Sequence, residues 1–203
     1  MEKTQKTPVT FDKSQTKINL ARAFAGECQD GARYQFLAQQ SMEQGYAYLQ
    51  TIFKTLAKNE MAHAKTFYQA ITQNCKSSTH NIKIEGGYPF ECGSLKTSIA
   101  DSIQTELSQS NNIYPAFSKV AKDEGFTDIA KKFDLAATVE DTHHKLLQEI
   151  LDKMKSGKLY KCSEPTTWKC NNCGYKCTCK SCWQTCPSCN MAQGYAQFNL
   201  INY

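Results

Sequence analysis

Long apolar runs are missing from this 203-residue chain. No stretch approaches the roughly 18 consecutive apolar residues that a membrane-spanning helix needs. Residues 1–17 also lack the apolar core of a secretory signal. We therefore expect a soluble, cytoplasmic protein with no membrane partner. The glycine-rich fingerprint G-x-G-x-x-G is absent as well, so the sequence does not predict a dinucleotide site.

Charge is unevenly distributed along the chain. The net charge is +5, and residues 157–203 hold five lysines but one acid, Glu164. A basic segment can indicate nucleic-acid binding. Here the lysines are interleaved with eight cysteines, and metal-bound thiolates would offset the positive charge. We therefore expect no nucleic-acid partner, because basic charge alone is weak support for one.

The first three-quarters of the chain has the periodicity of long helices. Apolar residues recur at spacings of three and four over residues 16–44, 48–75, 94–124 and 127–155. Gly45 and Gly125 mark two of the breaks, so the helices on either side of each are predicted to be antiparallel neighbours. Pro115 lies inside the third segment and predicts a kink there.

The connection between the second and third helices is much longer. Residues 76–93 contain three glycines and Pro89 and have no helical stripe. Four helices with one long middle connection are typical of the ferritin-like four-helix bundle. We therefore predict a mainly α protein with such a bundle in residues 1–156.

Composition changes abruptly after Gly157. Cysteine becomes dense, the helical period ends, and large apolar residues are few: Trp168, Tyr175, Trp183, Tyr195 and Phe198 are the main core candidates. Such a short segment cannot build a reliable core unaided, so a bound metal is expected to hold it together. We predict a small β/loop metal domain over residues 157–203.

Each helical seam is apolar except near its middle, where a glutamate interrupts it. The interrupting residues are Glu27, Glu60, Glu106 and Glu140. In the second and fourth helices a histidine, His63 or His143, follows three residues later. Residues three apart share a helical face, so both side chains can reach one ion.

Four carboxylates inside one bundle need positive charge beside them. An unpaired carboxylate in a core costs several kcal/mol, and four would also repel one another. Two Glu-x-x-His pairs plus one inward glutamate from each remaining helix is the ligand set of di-iron and di-manganese bundles. The alternative is that each pair lies on a solvated helix face, which is ordinary for Glu and His. Four seams interrupted at matching depth favour the metal site. His144 falls off the stripe and is expected to be exposed, and His80 to be a loop residue.

The eleven cysteines are more typical of metal binding than of a disulfide scaffold, given that no export signal is evident. Cys170-x-x-Cys173 and Cys186-x-x-Cys189 supply four thiolates, which suit a tetrahedral zinc or a single iron. A structural zinc ribbon and a redox iron remain open on this spacing.

Three further cysteines lie between these two motifs. They are Cys177, Cys179 and Cys182. We interpret them as free thiols, because no fourth ligand is evident. The alternatives are a second ion or competition for the first.

Together these motifs resemble the rubrerythrin family over nearly the whole chain. The segments that carry the resemblance are Ala23-Phe24-Ala25-Gly26-Glu27, Asn59-Glu60-Met61-Ala62-His63, Tyr114-Pro115, Glu140-Asp141-Thr142-His143, Trp168-Lys169-Cys170, Cys173-Gly174-Tyr175 and Cys186-Pro187-Ser188-Cys189. The order of the parts, a helical di-iron domain and then a rubredoxin-like domain, is itself specific.

The resemblance implies an activity, a ligand set and partners. The activity is reduction of hydrogen peroxide to water in oxidative-stress defence, with electrons entering through a rubredoxin-type iron. The implied di-iron ligands are Glu27, Glu60, His63, Glu106, Glu140 and His143, and the implied ligands of the mononuclear iron, or zinc, are Cys170, Cys173, Cys186 and Cys189. The implied partners are an NAD(P)H-dependent reductase or rubredoxin-like donor and a second copy of the chain in a head-to-tail homodimer.

Two positions near these centres match the family and two differ from it. Tyr34 and Tyr114 match tyrosines beside the di-iron site, whereas their residue type alone predicts core aromatics. Gln109 stands where the family usually has a seventh ligand, a glutamate, and Asn190 replaces the glycine usual after the last cysteine. Two other functions remain open: a ferroxidase or oxygen-reducing di-iron protein, and a non-enzymatic zinc- or iron-binding protein.

Overall fold

The helices of the computed structural model account for most of the chain, of which residues 9–75, 81–90 and 93–201 are described. Their bounds are Gln15–Glu43 (α1), Ala47–Asn74 (α2), Leu95–Ser108 (α3), Tyr114–Asp123 (α4) and Thr127–Lys155 (α5). A π-helical turn, Gln109–Ile113, joins α3 to α4, so these two helices form the third member of a four-helix bundle. The predicted helices agree with these bounds to within one residue at each outer end. None of the described helices has the length and hydropathy to cross a membrane.

Local chemistry explains where the helices start and stop. The Ser14 hydroxyl accepts a hydrogen bond from the Lys17 amide and caps α1, and Ser94 caps α3 through the Thr97 amide. Gly45 ends the α1–α2 turn with φ +82°, a backbone conformation that costs glycine little. The short antiparallel connections predicted from the glycines are therefore present.

A kink is predicted at Pro115, and the structure has a π-helical turn just before this residue. Proline lacks an N–H and clashes with the carbonyl four residues earlier, and a wider turn accommodates both effects. In a regular α-helix Tyr114 would be rotated about 80° from Glu106. The wide turn takes up one residue and reduces that offset to about 20°. Glu106 and Tyr114 therefore face the same side of the bundle.

The hydrophobic core is divided in two along the bundle axis. One part contains the buried apolar residues between Leu49 and Ala57 in α2 and those in the C-terminal half of α5. The other part contains Phe67 of α2 and the buried apolar residues in the N-terminal half of α5. Glu60 and His63 lie between these parts in α2, as Glu140 and His143 do in α5. A polar layer therefore crosses the middle of the bundle.

The connection from α2 to α3 is described over residues 81–90, which contain neither helix nor strand. It lies against α1, because Arg22 donates to the Glu85 carbonyl at 2.9 Å and Gln29 to the Pro89 carbonyl at 2.7 Å. Residues 76–80, including the predicted loop residue His80, and residues 91–92 lie outside the described ranges.

The C-terminal module is small and built around one hairpin. Strands Lys161–Lys169 (β1) and Lys176–Ser181 (β2) pair antiparallel, with an irregular register between Lys161 and Thr166. The module packs on the α1–α2 end of the bundle, where Phe198 meets Tyr48 with ring centroids 5.1 Å apart. The fold is thus a ferritin-like bundle followed by a two-stranded cysteine-rich module, as predicted; the division at residues 156/157 stays a prediction.

Candidate metal centres

Six side chains converge in the polar layer and form two overlapping groups. Glu27, Glu60, His63 and Glu140 make one group, and Glu60, Glu106, Glu140 and His143 make the other. Within each group, one potential ligand atom per residue lies within 4.8 Å of the others. The two groups share Glu60 and Glu140. Helices α1, α2, α3 and α5 each contribute at least one of the six.

Each shared carboxylate places one of its oxygens near His63 and the other near His143. In Glu60, Oε2 lies 3.3 Å from His63 Nδ1 and Oε1 lies 3.0 Å from His143 Nδ1. In Glu140, Oε1 lies 3.0 Å from His63 Nδ1 and Oε2 lies 3.0 Å from His143 Nδ1. Each shared carboxylate therefore offers one oxygen to each group, which is the arrangement a carboxylate needs to bridge two ions.

Burying these carboxylates in their charged form costs folding free energy unless a cation lies beside them. Glu27, Glu60 and Glu106 are each 1% exposed, and Glu140 is 0% exposed. Their inward-facing atoms are also unsatisfied: Glu27 Oε2, Glu60 Oε1, Glu106 Oε2, both Glu140 oxygens and the Nδ1 atoms of His63 and His143 are buried without a hydrogen-bond partner. Buried polar atoms are rarely left unpaired, so a group of them facing one centre has the chemistry of a metal site.

The pKa values of these residues reflect buried negative charge with no cation beside it. Burial raises the pKa of Glu27 and of Glu106 well above the usual range. Burial also acts to raise the pKa of Glu60, but the close approach of both histidines outweighs it and lowers the pKa to about 2. Burial acts to lower the pKa of His63, yet the surrounding carboxylates raise it to about 12. The high pKa of His63 thus reflects the excess of negative charge around it.

Two tyrosines hold the carboxylates that are not shared. The Tyr34 hydroxyl donates to Glu106, and the Tyr114 hydroxyl donates to Glu27. Both tyrosines are buried, and burial raises their pKa well above the usual value, so they remain protonated donors. The core environment predicted for these tyrosines and their position beside the site are therefore both present.

The remaining nitrogen of His143 is also engaged. His143 Nε2 lies 3.3 Å from the Asn59 side-chain amide. When Nδ1 serves as a ligand, Nε2 carries the proton and needs an acceptor, which the amide oxygen of Asn59 provides in its other orientation. Asn59 therefore can fix the ring for metal binding.

Asp30 and Arg33, which were not predicted from the sequence, form a network with Gln109 next to the six residues. Gln109 Nε2 donates to Asp30 Oδ2 at 2.8 Å, and Arg33 Nη1 lies 2.7 Å from Asp30 Oδ1. Burial raises the pKa of Asp30 to about 6 in spite of Arg33. The spacing Glu27-x-x-Asp30 is the same as that of the Glu-x-x-His pairs, and this was the available signal.

A cavity of about 750 Å³ reaches this network from the surface. It lies between α1 and the α3–α4 helix, under residues 86–90, and its wall includes Gly26, Asp30, Gln109 and Tyr114. Because Tyr114 bonds to Glu27, the cavity ends one side chain away from the carboxylate layer. The cavity therefore approaches the carboxylate layer and is separated from it by the Tyr114 side chain.

His144 differs from its prediction. It is half-buried rather than exposed, and its Nδ1 is a buried atom without a hydrogen-bond partner. It follows His143 directly on α5, so it points to a different side of the helix and belongs to neither group.

The C-terminal module brings its four predicted cysteines together. Sγ of Cys170 lies 3.8 Å from Sγ of Cys189, and Sγ of Cys173 lies 3.7 Å from Sγ of Cys186. A tetrahedron with metal–sulfur bonds of about 2.3 Å has edges of about 3.8 Å. The four sulfur atoms therefore have the spacing of a tetrathiolate site.

The two Cys-x-x-Cys turns repeat the same backbone pattern. The Gly174 amide donates to the Cys170 carbonyl, and the Asn190 amide donates to the Cys186 carbonyl, each at 2.9 Å. Both donors have positive φ, +77° for Gly174 and +59° for Asn190. Asparagine tolerates this left-handed conformation better than most residues. The replacement of the usual glycine by Asn190 is therefore accommodated.

Comparison with known proteins agrees with this geometry. The rubrerythrin family model matches residues 19–90 and 98–169. The chain is 34% identical over 191 residues to rubrerythrin-1 of Clostridium acetobutylicum, covering 94% of this chain and 97% of that protein. It is 29% identical over 191 residues to rubrerythrin of Nitratidesulfovibrio vulgaris, covering 93% and 95%.

Solved structures show the same fold at lower identity. The partially reduced state of nigerythrin matches with a TM-score of 0.61 and 22% identity, covering 98% of this chain and 92% of that chain. A Desulfovibrio desulfuricans bacterioferritin matches with a TM-score of 0.60 and 20% identity, covering 71% and 82%. With a carboxylate–histidine site of the di-iron type in its bundle and a four-cysteine rubredoxin-like site after it, this chain belongs to the rubrerythrin family.

Proposed function

We propose that this protein is a non-haem di-iron peroxidase that reduces hydrogen peroxide to water and receives its electrons through the C-terminal tetrathiolate module. The observation that supports this most directly is the pair of ligand groups sharing Glu60 and Glu140, with the unsatisfied buried atoms facing inward. Members of the rubrerythrin family are generally peroxidases of the oxidoreductase class, which supports the same conclusion.

The ligand assignment follows from the two groups. Glu27 and His63 would complete the site of one iron, Glu106 and His143 the site of the other, and Glu60 with Glu140 would bridge the two. Four carboxylates neutralise two divalent ions, which removes the cost of burying the acids. In the module, Cys170, Cys173, Cys186 and Cys189 would hold one iron.

The residues around this site have different roles in the proposed reaction. Two ferrous ions, when bound, would supply the two electrons that split the O–O bond without releasing a radical. Tyr34 and Tyr114 keep the Glu106 and Glu27 carboxylates in position through their hydrogen bonds. Each peroxide also takes up two protons, and Asp30 on the cavity wall, with a pKa of about 6, can hold a proton near neutral pH.

Electron delivery is proposed to occur between subunits. The module contacts the bundle at Thr51, whose hydroxyl accepts from Asn171 at 3.1 Å. Thr51 precedes Glu60 by nine residues, about 14 Å along the helix axis. A head-to-tail homodimer would bring the partner's module to this cluster. A cytoplasmic NAD(P)H-dependent reductase or a rubredoxin-like donor would supply the electrons.

The test uses the full chain loaded with iron and reduced without oxygen. Stoichiometric hydrogen peroxide is expected to reoxidise two irons of the bundle per chain faster than air-saturated buffer does. A faster response to oxygen would contradict the proposal and favour a ferroxidase or oxygen-reducing protein. Glu140→Gln is the control, since it removes a shared ligand and should abolish the reaction.

Colour separates this proposal from a non-enzymatic metal protein. A ferric ion held by four thiolates is red through charge transfer from sulfur, whereas zinc is colourless. We expect the oxidised protein purified without added metal to be red and to contain three irons per chain. A colourless protein with zinc in both centres would overturn the proposed function.

A further inference from the structure

Strand β2 carries two cysteines that the tetrathiolate site does not use. Alternate residues of a strand face the same side, so Cys177 and Cys179 share one face while Lys176, Thr178 and Lys180 share the other. The lysine face is exposed, and the two cysteines are half-buried. A small oxidant can therefore reach the sulfur atoms, while larger molecules are partly screened from them.

The two thiols are close together. Sγ of Cys177 lies 3.3 Å from Sγ of Cys179, and the Cys179 thiol also donates to the Ser181 carbonyl at 3.0 Å. Neither cysteine belongs to any group of three or more potential metal ligands among the described residues. The pair thus has the spacing of a dithiol without the further ligands that a closed metal site would need.

We propose that Cys177 and Cys179 form a redox-active dithiol that hydrogen peroxide converts reversibly to an intramolecular disulfide. One thiolate attacks a peroxide oxygen, giving a sulfenic acid and one water. The second thiol then attacks that sulfur, the S–S bond forms and a second water leaves. Two thiols are oxidised by two electrons and one peroxide is reduced. An external thiol reverses the reaction by exchange and is oxidised in turn.

The strand geometry explains why the bridge would be reversible. Residues i and i+2 of a strand have Cα atoms about 6.6–6.8 Å apart, and disulfides accept Cα separations of about 4.4–6.8 Å. A bridge here lies at the long end of that range, so small thiols should reduce it readily. Whichever of the two sulfurs is oxidised first, the other lies 3.3 Å away and can close the bridge.

The test uses the full chain with zinc in both metal centres, so that no iron chemistry contributes and the result does not depend on the proposed peroxidase activity. After treatment with hydrogen peroxide, free thiols are alkylated and the chain is denatured and digested with trypsin. Cleavage after Lys176 and Lys180 releases residues 177–180, which contain these two cysteines and no other.

We expect this peptide to be unalkylated and lighter than the dithiol by two hydrogen atoms, and to carry two alkyl groups when dithiothreitol precedes alkylation. Two alkyl groups after peroxide alone, oxidation that dithiothreitol does not reverse, or a link to the peptide containing Cys182 would each overturn the proposal.

Variants identify the role of each sulfur. Cys177→Ser should abolish the bridge. Cys179 then stops at the sulfenic acid, which dithiothreitol restores, and with excess peroxide it proceeds to the sulfinic acid, which dithiothreitol does not restore. Cys162→Ser, which removes another half-buried thiol of the same module, should leave the bridge unchanged. Zinc content equal to that of the unmodified chain establishes that both variants are folded. Loss of the bridge in Cys162→Ser would show that a different pair reacts.

Discussion

At the scale of single residues, the carboxylates of the polar layer differ in how many metal positions each one serves. Glu60 and Glu140 belong to both ligand groups, whereas Glu27 and Glu106 belong to one each. All four are similarly buried, so burial alone does not separate them. The difference should be visible in metal content.

Replacing a shared carboxylate should therefore cost more metal than replacing an unshared one. Glu140→Gln is expected to reduce bundle iron from about two ions per chain to nearly none, because the amide is neutral and a poor iron ligand. Glu106→Gln should retain about one ion, held by Glu27, Glu60, His63 and Glu140. Metal analysis of the purified variants measures this. The exposed Glu43→Gln should retain both ions, and equal loss in the Glu140 and Glu106 variants would argue against shared ligands.

Asp30 should give the metal-free bundle a distinct pH dependence. Its pKa is raised by burial from 3.8 to about 6, so the fold favours the protonated form. The stabilisation is fully present below pH 3.8 and is lost as the pH rises through about 6. The loss amounts to about 3 kcal/mol, at about 1.4 kcal/mol per pKa unit.

Asp30→Asn removes this titration. Between pH 4 and pH 7 the variant should therefore gain up to about 3 kcal/mol of unfolding free energy relative to the unmodified chain. Denaturant unfolding of both metal-free proteins at several pH values measures the difference. A constant difference across this range would mean that folding does not raise the pKa of Asp30.

At the scale of secondary-structure elements, the ends of helices are held by other elements. Glu124, at the end of α4, accepts hydrogen bonds from the Gln15 amide at 2.9 Å and from the Thr16 amide at 2.8 Å. It also accepts from the Thr16 hydroxyl at 2.6 Å. The first turn of α1 is thus capped from within by Ser14 and from outside by α4.

Removing this cap should weaken the bundle. Glu124→Ala is expected to lower the unfolding free energy by about 1–2 kcal/mol, because two helix amides and a hydroxyl lose their acceptor. Burial acts to raise the pKa of Glu124, but its bonds to Thr16 and Gln15 outweigh it and lower the pKa. The contribution is therefore present above the ordinary glutamate pKa and lost at lower pH. Glu164→Ala, an exposed acid of β1, should have little effect in the same unfolding measurement.

At the scale of the whole molecule, the module and the bundle meet at two glycines. A Cβ atom at Gly194 would lie 1.7 Å from the Gly45 carbonyl oxygen, which is backbone and cannot rotate away. Leu159 and Phe198 also belong to the hydrophobic core cluster of the bundle. The relative position of module and bundle therefore depends on close backbone approach as well as on apolar burial.

Gly194→Ala should separate the two parts. We expect a loss of about 2–4 kcal/mol in unfolding free energy, with the tetrathiolate spectrum retained because the cysteines are untouched. Gly87→Ala, where a Cβ meets nothing within 4 Å, is the matched control. Unchanged stability in the Gly194 variant would mean that the module is able to shift without cost.

Mixing two inactive variants tests the proposed exchange of electrons between subunits. Cys173→Ser lacks an intact module and Glu140→Gln lacks an intact cluster, so each alone should be inactive with the electron donor. In a head-to-tail dimer, random mixing should restore about a quarter of the peroxidase activity, because about half the dimers are mixed and each has one intact pair of centres. Absence of recovery in verified mixed dimers would indicate that each module serves its own cluster.

Sequence periodicity determined the helices of this molecule and the identity of its site residues, because the patterns concerned are local. The spacing of apolar residues predicted the helices to within a residue, and the glutamates that interrupt the seams are those that converge in the structure. The cysteine spacing likewise predicted four sulfur atoms at tetrahedral distances. The apolar stripes, the Glu-x-x-His pairs and the two Cys-x-x-Cys turns each depend on residues a few positions apart, where backbone geometry fixes direction.

Tertiary structure decided how those features meet. The division of Glu60 and Glu140 between two histidines, the pairing of Asp30 with Gln109, and the contact of Gly194 with Gly45 all join residues far apart in the chain. The exposure expected for His144 was wrong for the same reason, since neighbouring parts of the fold cover it by half. Periodicity states which way a side chain points from its own helix, whereas helix packing and the π-helical turn set what it encounters.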